Sequence, residues 1–211
     1  MLLVPIESVH DPRLVPALRV YHESFPLHEQ MSVPFWFETV LSLPLPDTHL
    51  LAVVDDETDG ATVGMVFYQT VAGAGGDNAP PVALLWYLCT RGDRRGAGLG
   101  AAAYQTLVRT LFANGIAALV FEVEIPEEAG AQEHGGEAAE MARRRIAWYR
   151  RNGARVLEGV RYLQSVDNGS EPTPMHLMVH TPAPVTPDEA YALACAATGE
   201  EIERVSELSL A

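Results

Sequence analysis

Residues 82–100 read VALLWYLCT-RGDRRGAGLG, an apolar run followed by a segment with four glycines. The apolar run, 82–90, has the length of a strand and lies between a proline and a glycine, which predicts a central strand buried on both faces. Residues 98–113 are helical by composition and end at Asn114-Gly115. The glycines therefore lie where a buried strand ends and a helix begins. Unpaired amide groups at such a helix start attract anions, most often a phosphate.

Outward from this point the chain alternates between predicted strands and helices. Mixed alternation of this kind predicts an α/β or α+β fold with a mostly antiparallel sheet and one parallel step, from strand 82–90 to strand 117–125. The remaining predicted strands are 1–8, 49–54, 62–70, 154–163 and 175–180. The other predicted helices are 11–24, with Pro12 in its first turn, 34–43, 137–152 and 187–198. Residues 126–136 are predicted to form a loop.

Length and composition fit an ordinary globular chain of 211 residues, 48% hydrophobic and 20% charged. The only two cysteines, Cys89 and Cys195, are flanked by apolar residues, so we expect buried free thiols and neither a disulfide framework nor a metal site. No apolar stretch is long enough to span a membrane, and the first residues lack the features of a signal peptide. We therefore expect a cytoplasmic protein without a membrane partner.

The charge pattern is uneven. A net charge of −14 argues against nucleic acid as a partner, because phosphate backbones require a basic face. Every basic residue is an arginine, and nine of the fourteen lie in two clusters, at 91–95 and 143–155. Codon bias explains the missing lysines but not the clustering, and arginine matches the geometry of phosphate. Most arginines of the second cluster are expected to be solvated.

Two common phosphate-binding motifs do not fit the glycine segment. A nucleoside-triphosphate loop needs a lysine, and the spacing Gly96, Gly98, Gly100 is not that of a dinucleotide-binding fingerprint. The run from Leu88 to Gly100 instead resembles motif A of the GCN5-related N-acetyltransferases (GNAT). The family signature Arg/Gln-x-x-Gly-x-Gly/Ala is matched by Arg95, Gly98 and Gly100.

A second segment carries the same resemblance. Residues 147–155, AWYRRNGAR, look like the family segment FYxxxGF, with Tyr149 as its tyrosine and Gly153 as its glycine. The resemblance implies a GNAT-like mixed, mostly antiparallel central sheet, splayed at the cofactor site, with helices on both faces. It covers residues 1–180, and residues 181–211 are then a C-terminal helical extension.

The resemblance also implies a cofactor, acetyl-CoA or another acyl-CoA. Its pyrophosphate would lie on the main chain of residues 95–100, and its pantetheine arm along that of Leu88 and Thr90. Arg94 or Arg95 would add positive charge. The implied cofactor-binding residues are Leu88, Thr90, Arg95, Gly96, Ala97, Gly98, Leu99 and Gly100. The chain departs from the family pattern after strand 117–125, where Pro126 and Glu127 stand in the place of a frequent asparagine.

Catalytic candidates also follow from the resemblance. Phe121-Glu122-Val123 is similar to a strand segment of the enzymes that acetylate protein N-termini, in which the glutamate is the base. Glu122 is thus the first candidate base, and Glu124 the second because it shares the same strand face. Tyr149 is the candidate acid, since a phenol suits protonation of a thiolate. Acceptor selectivity is expected in residues 21–40 and in the loop 126–137.

The expected function is transfer of an acetyl group to an amine of a small molecule or of a protein N-terminus. Two alternatives stay open at this point: a non-catalytic acyl-CoA sensor on the same fold, and a structural module without cofactor. Tyr149 could merely pack between helix and sheet, and Glu122 could pair with an arginine. Phe35, Trp36 and Phe37 are more simply explained as core than as an acceptor pocket. Whether the chain forms a homodimer is equally open.

Overall fold

The computed structural model describes residues 1–32, 34–36, 47–56, 60–73, 79–94, 96–132, 136–165, 171–199 and 202–211, without the side chains of residues 28 and 130–132. The chain divides into two compact units. In chain order the elements are β1 (Leu2–Pro5), α1 (Leu14–Ser24), β2 (Thr48–Asp55), β3 (Ala61–Val71), β4 (Val82–Thr90), α2 (Leu99–Ala113), β5 (Leu119–Glu124), α3 (Pro126–Gln132), α4 (Gly136–Arg151), β6 (Arg155–Gln164), β7 (Thr173–His180), α5 (Pro187–Thr198) and β8 (Glu203–Leu210).

Unit 1 comprises Met1–Thr70, Leu85–Leu111 and Val166–Glu171. In it β2 pairs antiparallel with β1 and with β3. The apolar face of α1 packs in the same hydrophobic cluster as β2 and β3, because its buried residues recur at helical spacing. The largest fully buried side chains of this cluster are Tyr21, Trp36, Phe67, Leu14 and Met65.

Unit 2 comprises Val71–Leu84, Phe112–Ser165 and Pro172–Ala211. Here β7 pairs antiparallel with β5 and β6, and β6 pairs antiparallel with β8. Two backbone bonds, Ala117 N to Pro81 O and Ala83 N to Ala118 O, advance in the same direction along both segments. The start of β4 and the segment entering β5 therefore run parallel.

The predicted fold class is confirmed. Hydrogen-bonded neighbours among the eight described strands follow the order β1-β2-β3-β4-β5-β7-β6-β8, a mixed and mostly antiparallel sheet. The parallel step occurs where a helix separates two strands, as the crossover connection of a parallel pair requires. The bounds predicted for β4 and α5 agree with the structure.

Several local predictions are wrong. Residues 126–132 form helix α3 rather than a loop. Helix α1 begins at Leu14, so Pro12 precedes the helix instead of lying in its first turn. The C-terminal segment is not only helical, because β8 follows α5 and joins β6. Cys89 is buried as expected, but Cys195 is only half-buried.

Most of the predicted helix 34–43 lies outside the residues that the structure describes. Among the described helices, none combines the length and the apolar character needed to cross a membrane.

Candidate active site

The glycine segment ends in a helix cap made of bare backbone. Ala102 N donates to Gly98 O at 2.9 Å, so Gly98 is the residue that caps α2. The amide groups of Leu99, Gly100 and Ala101 then have no intrahelical acceptor, because the first turn of any α-helix lacks one. These amides and the positive end of the helix dipole face outward from the start of α2.

Glycine is required here by conformation. Gly96 and Gly98 have φ of +85° and +79°, a region that residues with a side chain rarely adopt. A Cβ atom built on either residue meets nothing within 4 Å, and both residues are exposed. The chain therefore presents open, donor-rich backbone at this point. That geometry fits a pyrophosphate, which needs close backbone approach more than it needs side chains.

Strand β4 leads into this segment with alternating burial. Tyr87 and Cys89 are buried in the core of unit 1, whereas Leu88 and Thr90 are half-buried on the other face. The strand ends where Arg91 N donates to Val63 O at 2.8 Å. Leu88 and Thr90 thus lie on the less buried face of the last part of β4, as a residue that lines a ligand must.

The arginines beside the glycines are engaged with carboxylates. Arg94 Nη2 donates to Asp55 Oδ2 at 2.5 Å, and the Asp55 side chain is only 3% exposed. Arg91 bonds Asp93 on the surface, and this hydrogen bond lowers the pKa of the Asp93 carboxyl. The expectation that Arg94 adds charge to a phosphate is thus not supported, because its guanidinium neutralises a buried carboxylate. Arg95 lies outside the described residues.

Glu122 is held by two side chains of strand β6. Tyr162 Oη donates to Glu122 Oε1 at 2.6 Å, and Gln164 Nε2 donates to Glu122 Oε2. All three residues are half-buried. The carboxylate is therefore fixed in direction yet lies near the surface of unit 2.

Glu124 has a different environment. Its Oε1 forms an ion pair with Arg145 of helix α4, and its Oε2 is buried with no hydrogen-bond partner among the described residues. The sequence suggested that Glu122 could pair with an arginine, but Glu124 forms this ion pair instead. Because Glu124 is the last residue of β5, this ion pair ties the end of the strand to α4.

Tyr149 packs on the other side of β5. Its ring centroid lies 4.4 Å from that of Phe121 and 4.8 Å from that of Trp148, and the residue is buried. Successive strand residues point to opposite faces, so Tyr149 and Glu122 approach β5 from opposite sides. The packing suggested for Tyr149 from sequence is present, and it fixes where the phenol lies.

Gly153 follows α4 and explains the Asn-Gly stop at the end of this helix. Its φ is +101°, and a Cβ atom would lie 2.8 Å from His180 Nε2. His180 is buried against the edge of the Phe112 ring, and burial lowers the pKa of its imidazole. Burial likewise lowers the pKa of His176, two residues earlier on β7.

The segment after α1, expected to border the acceptor, is fixed by buried polar groups. Gln30 Nε2 donates to Phe25 O at 2.6 Å, and Met31 N donates to Tyr21 Oη at 2.7 Å. Burial raises the pKa of Tyr21. Trp36 is 1% exposed and belongs to the core, as predicted. Phe37 lies outside the described residues.

The predicted site residues thus divide into two groups. Those assigned to the cofactor that the structure describes belong to unit 1, and the three catalytic candidates belong to unit 2. Sequence reasoning missed the partners of the charged residues: Asp55, Arg145, Tyr162 and Gln164. No spacing in the sequence connects these partners to the charged residues that they contact, because each partner lies at least 21 residues away.

Comparisons with known proteins agree with this architecture. The model of the acetyltransferase (GNAT) family matches residues 15–133, more than half of the chain. No curated protein matches. A solved structure from Bacteroides thetaiotaomicron, described as a GNAT-family acetyltransferase, is 23% identical, with a TM-score of 0.63 over 87% of this chain and 89% of that one.

Two further solved structures share the fold. Arabidopsis thaliana NAA60 in complex with acetyl-CoA is 14% identical, with a TM-score of 0.59 over 86% of this chain and 98% of that one. An aminoglycoside 6'-N-acetyltransferase complexed with coenzyme A is 15% identical, with a TM-score of 0.50 over 88% and 99%. The family match spans the glycine segment and strand β5 together. By this match and by its fold, the chain belongs to the GNAT acetyltransferase family.

Proposed function

We propose that the protein is an acyl-CoA-dependent N-acyltransferase that moves an acetyl group from acetyl-CoA to an amine of a small molecule or of a protein N-terminus. The observation that carries this proposal is the exposed backbone of Gly96 and Gly98, which leads into α2 in a GNAT-family chain. Both residues have positive φ, and nothing lies within 4 Å of where their side chains would be, which leaves room for a phosphate to approach this backbone.

The cofactor site proposed here uses main-chain groups. The pyrophosphate is placed on the amides of Gly96 to Gly100, and the pantetheine arm runs along Leu88 and Thr90. Arg95 is the arginine left for the phosphates, since Arg94 pairs with Asp55. Similar folds solved with acetyl-CoA and with coenzyme A support the choice of an acyl-CoA.

Glu122 is the proposed general base. A base must have access to the acceptor, and Glu122 is half-buried with neutral hydrogen-bond donors on both oxygens. Glu124 is less suited, because Arg145 neutralises it and its second oxygen is inaccessible.

Tyr149 is the proposed general acid. Its ring is held between Phe121 and Trp148, so the phenol has a fixed position. A phenol, with an ordinary pKa of about 10, can protonate a departing thiolate. In the proposed division of labour, Glu122 serves the amine and Tyr149 serves the sulfur.

The protons balance in this scheme. The bound acyl-CoA supplies the acyl group as a thioester. Glu122 removes one proton from the ammonium form of the acceptor, whose nitrogen then bonds to the acyl carbon as the carbon–sulfur bond breaks. Tyr149 gives its proton to the sulfur and recovers one from the new amide nitrogen. Glu122 releases its proton to solvent, so each turnover frees one proton.

The acceptor class follows from charge. A net charge of −14 steers cationic molecules toward the protein and repels anionic ones, an effect that salt weakens. Selectivity among amines is assigned to residues 21–40 and 126–137. A hydrogen bond from Gln30 to Phe25 fixes part of the first segment. Helix α3 forms part of the second segment.

Two measurements test this function. Calorimetric titration with CoA asks whether the cofactor binds, and mass spectrometry of an amine panel incubated with acetyl-CoA asks whether an acetylated product forms. Binding with an acetylated amine supports the enzyme. Binding without any product supports the non-catalytic sensor, and no binding at millimolar CoA would exclude both.

A further inference from the structure

We propose that Tyr162 and Gln164 are positioning residues, which orient the Glu122 carboxylate for removal of a proton from the acceptor amine. This inference rests on the proposed function, because it assigns a purpose to contacts made with the proposed base. Neither residue belongs to the motifs that identify the family in this sequence.

The contacts themselves are specific. Tyr162 and Gln164 are two residues apart on β6, so they share one strand face, and each donates to a different oxygen of Glu122. The strand β7 lies between them and β5, where Leu177 pairs with Glu122. Both side chains therefore reach across a neighbouring strand to hold one carboxylate.

A break in strand register makes this reach feasible. On β7 two residue steps separate Leu177 from Met175, whereas on β6 five steps separate their partners, Leu157 and Tyr162. Without the break, Gly159 would lie opposite Met175. Bulges of this kind redirect side chains and are frequent beside active sites.

The break is built into the chain by Gly159. This residue has φ of +85°, and a Cβ atom on it would lie 2.4 Å from the carbonyl oxygen of Glu207 on β8. Only glycine satisfies both conditions. The bulge is thus a fixed feature of β6, and the position of Tyr162 depends on it.

The chemistry of the donors suits a base. Tyr162 and Gln164 are uncharged, so their hydrogen bonds fix the direction of the carboxylate without cancelling its charge. Glu124, two residues away, shows the contrary arrangement, because Arg145 supplies a full positive charge. Buried or half-buried networks of this kind are effective when they hold a reacting group in a single orientation.

The test is a double-mutant cycle in amine-dependent release of CoA thiol. Tyr162→Phe and Gln164→Met each remove one donor and keep the side-chain length. Each should lower kcat on the order of tenfold, with the KM for acetyl-CoA and the melting temperature nearly unchanged. In the background of Glu122→Gln neither should lower the residual rate by more than about twofold.

Tyr191→Phe is the matched control. Tyr191 Oη donates to Ile202 O at 2.6 Å, a hydrogen bond as short as that of Tyr162, in the C-terminal segment. This variant should keep the wild-type kcat. A wild-type kcat for Tyr162→Phe, or an equal loss with and without Glu122, would overturn the positioning role while the proposed function stands. A wild-type protein that releases no thiol with any amine overturns both.

Discussion

The guanidinium of Arg94 lies 2.5 Å from the carboxylate of Asp55, which is buried in unit 1. This ion pair joins the loop before α2 to the end of β2, so it fixes the entry to the glycine segment. Its role is structural, and the proposed cofactor site accordingly assigns the phosphates to Arg95.

The ion pair leads to a prediction for stability. Arg94→Met removes the guanidinium that pairs with the buried carboxylate of Asp55 and should lower the free energy of unfolding by about 3 kcal/mol. Arg91→Met is the matched control, because Arg91 and Asp93 are 45% and 60% exposed, and its cost should stay below about 1 kcal/mol. Urea unfolding measures both. Equal losses of unfolding free energy would show that the buried pair of Asp55 stabilises the protein no more than the exposed pair of Asp93.

The contact between Gly153 and His180 predicts that one added methyl group at position 153 lowers the free energy of unfolding substantially. Gly153→Ala forces a side chain into a backbone with φ of +101° and against the imidazole, and we expect a loss of about 2–3 kcal/mol. Gly199→Ala has a similar strain, with φ of +72°, but an open surrounding, and should cost about 1 kcal/mol. Thermal or urea unfolding compares the two. A cost for Gly153→Ala no larger than that for Gly199→Ala would rule out the steric contribution.

The buried histidine predicts how stability depends on pH. Because burial lowers the pKa of His180 in the folded state, the unfolded chain binds a proton first as the pH falls below about 6.5. The contribution of His180 to the free energy of unfolding is therefore fully present above that pH. It declines as the pH falls, by up to about 1.4 kcal/mol near pH 5.5.

His180→Gln should reduce the difference in unfolding free energy between about pH 7.5 and about pH 5.5. His10→Gln, a change at an exposed residue, should leave that difference as in the wild type. An unchanged pH dependence in His180→Gln would show that this imidazole does not contribute to it.

The glycine segment predicts the strength of cofactor binding. Gly98→Val places a branched side chain where the pyrophosphate approaches the backbone, and the Kd for CoA should rise at least about tenfold, or about 1.4 kcal/mol. Gly115→Val is the control, since Gly115 has nearly the same φ, +82°, and equally open surroundings at the other end of α2. Calorimetry should find CoA binding unchanged in this control. Equal weakening in both variants would mean that backbone strain alone causes the loss.

Local signals explain which elements were predicted from sequence. Helix α5 was predicted with its observed bounds, because Thr186 and Glu189 form a capping box, Pro187 starts the helix and Gly199 ends it with φ of +72°. Helix α3 was missed although Pro126, Glu127 and Glu128 are typical of a helix start. The glycines at 130, 135 and 136 favoured a loop instead.

Strand β8 and the partners of Glu122 had no comparable signal. Most residues of β8 are exposed, so its sequence lacks the apolar alternation of a core strand, and pairing with β6 alone defines it. Tyr162 could not be assigned to Glu122 because the bulge between Leu157 and Tyr162 breaks the two-residue period. The glycine segment was predicted from sequence because three glycines at alternate positions indicate bare backbone directly.

Amine-dependent release of CoA thiol from acetyl-CoA, compared in wild type, Glu122→Gln and Glu124→Gln, tests the proposed catalysis most directly. We expect release by the wild type with at least one cationic amine, a loss of about 100-fold or more in kcat for Glu122→Gln, and a rate within about threefold of wild type for Glu124→Gln. No release by the wild type across the panel, or a wild-type rate in Glu122→Gln, would contradict the account.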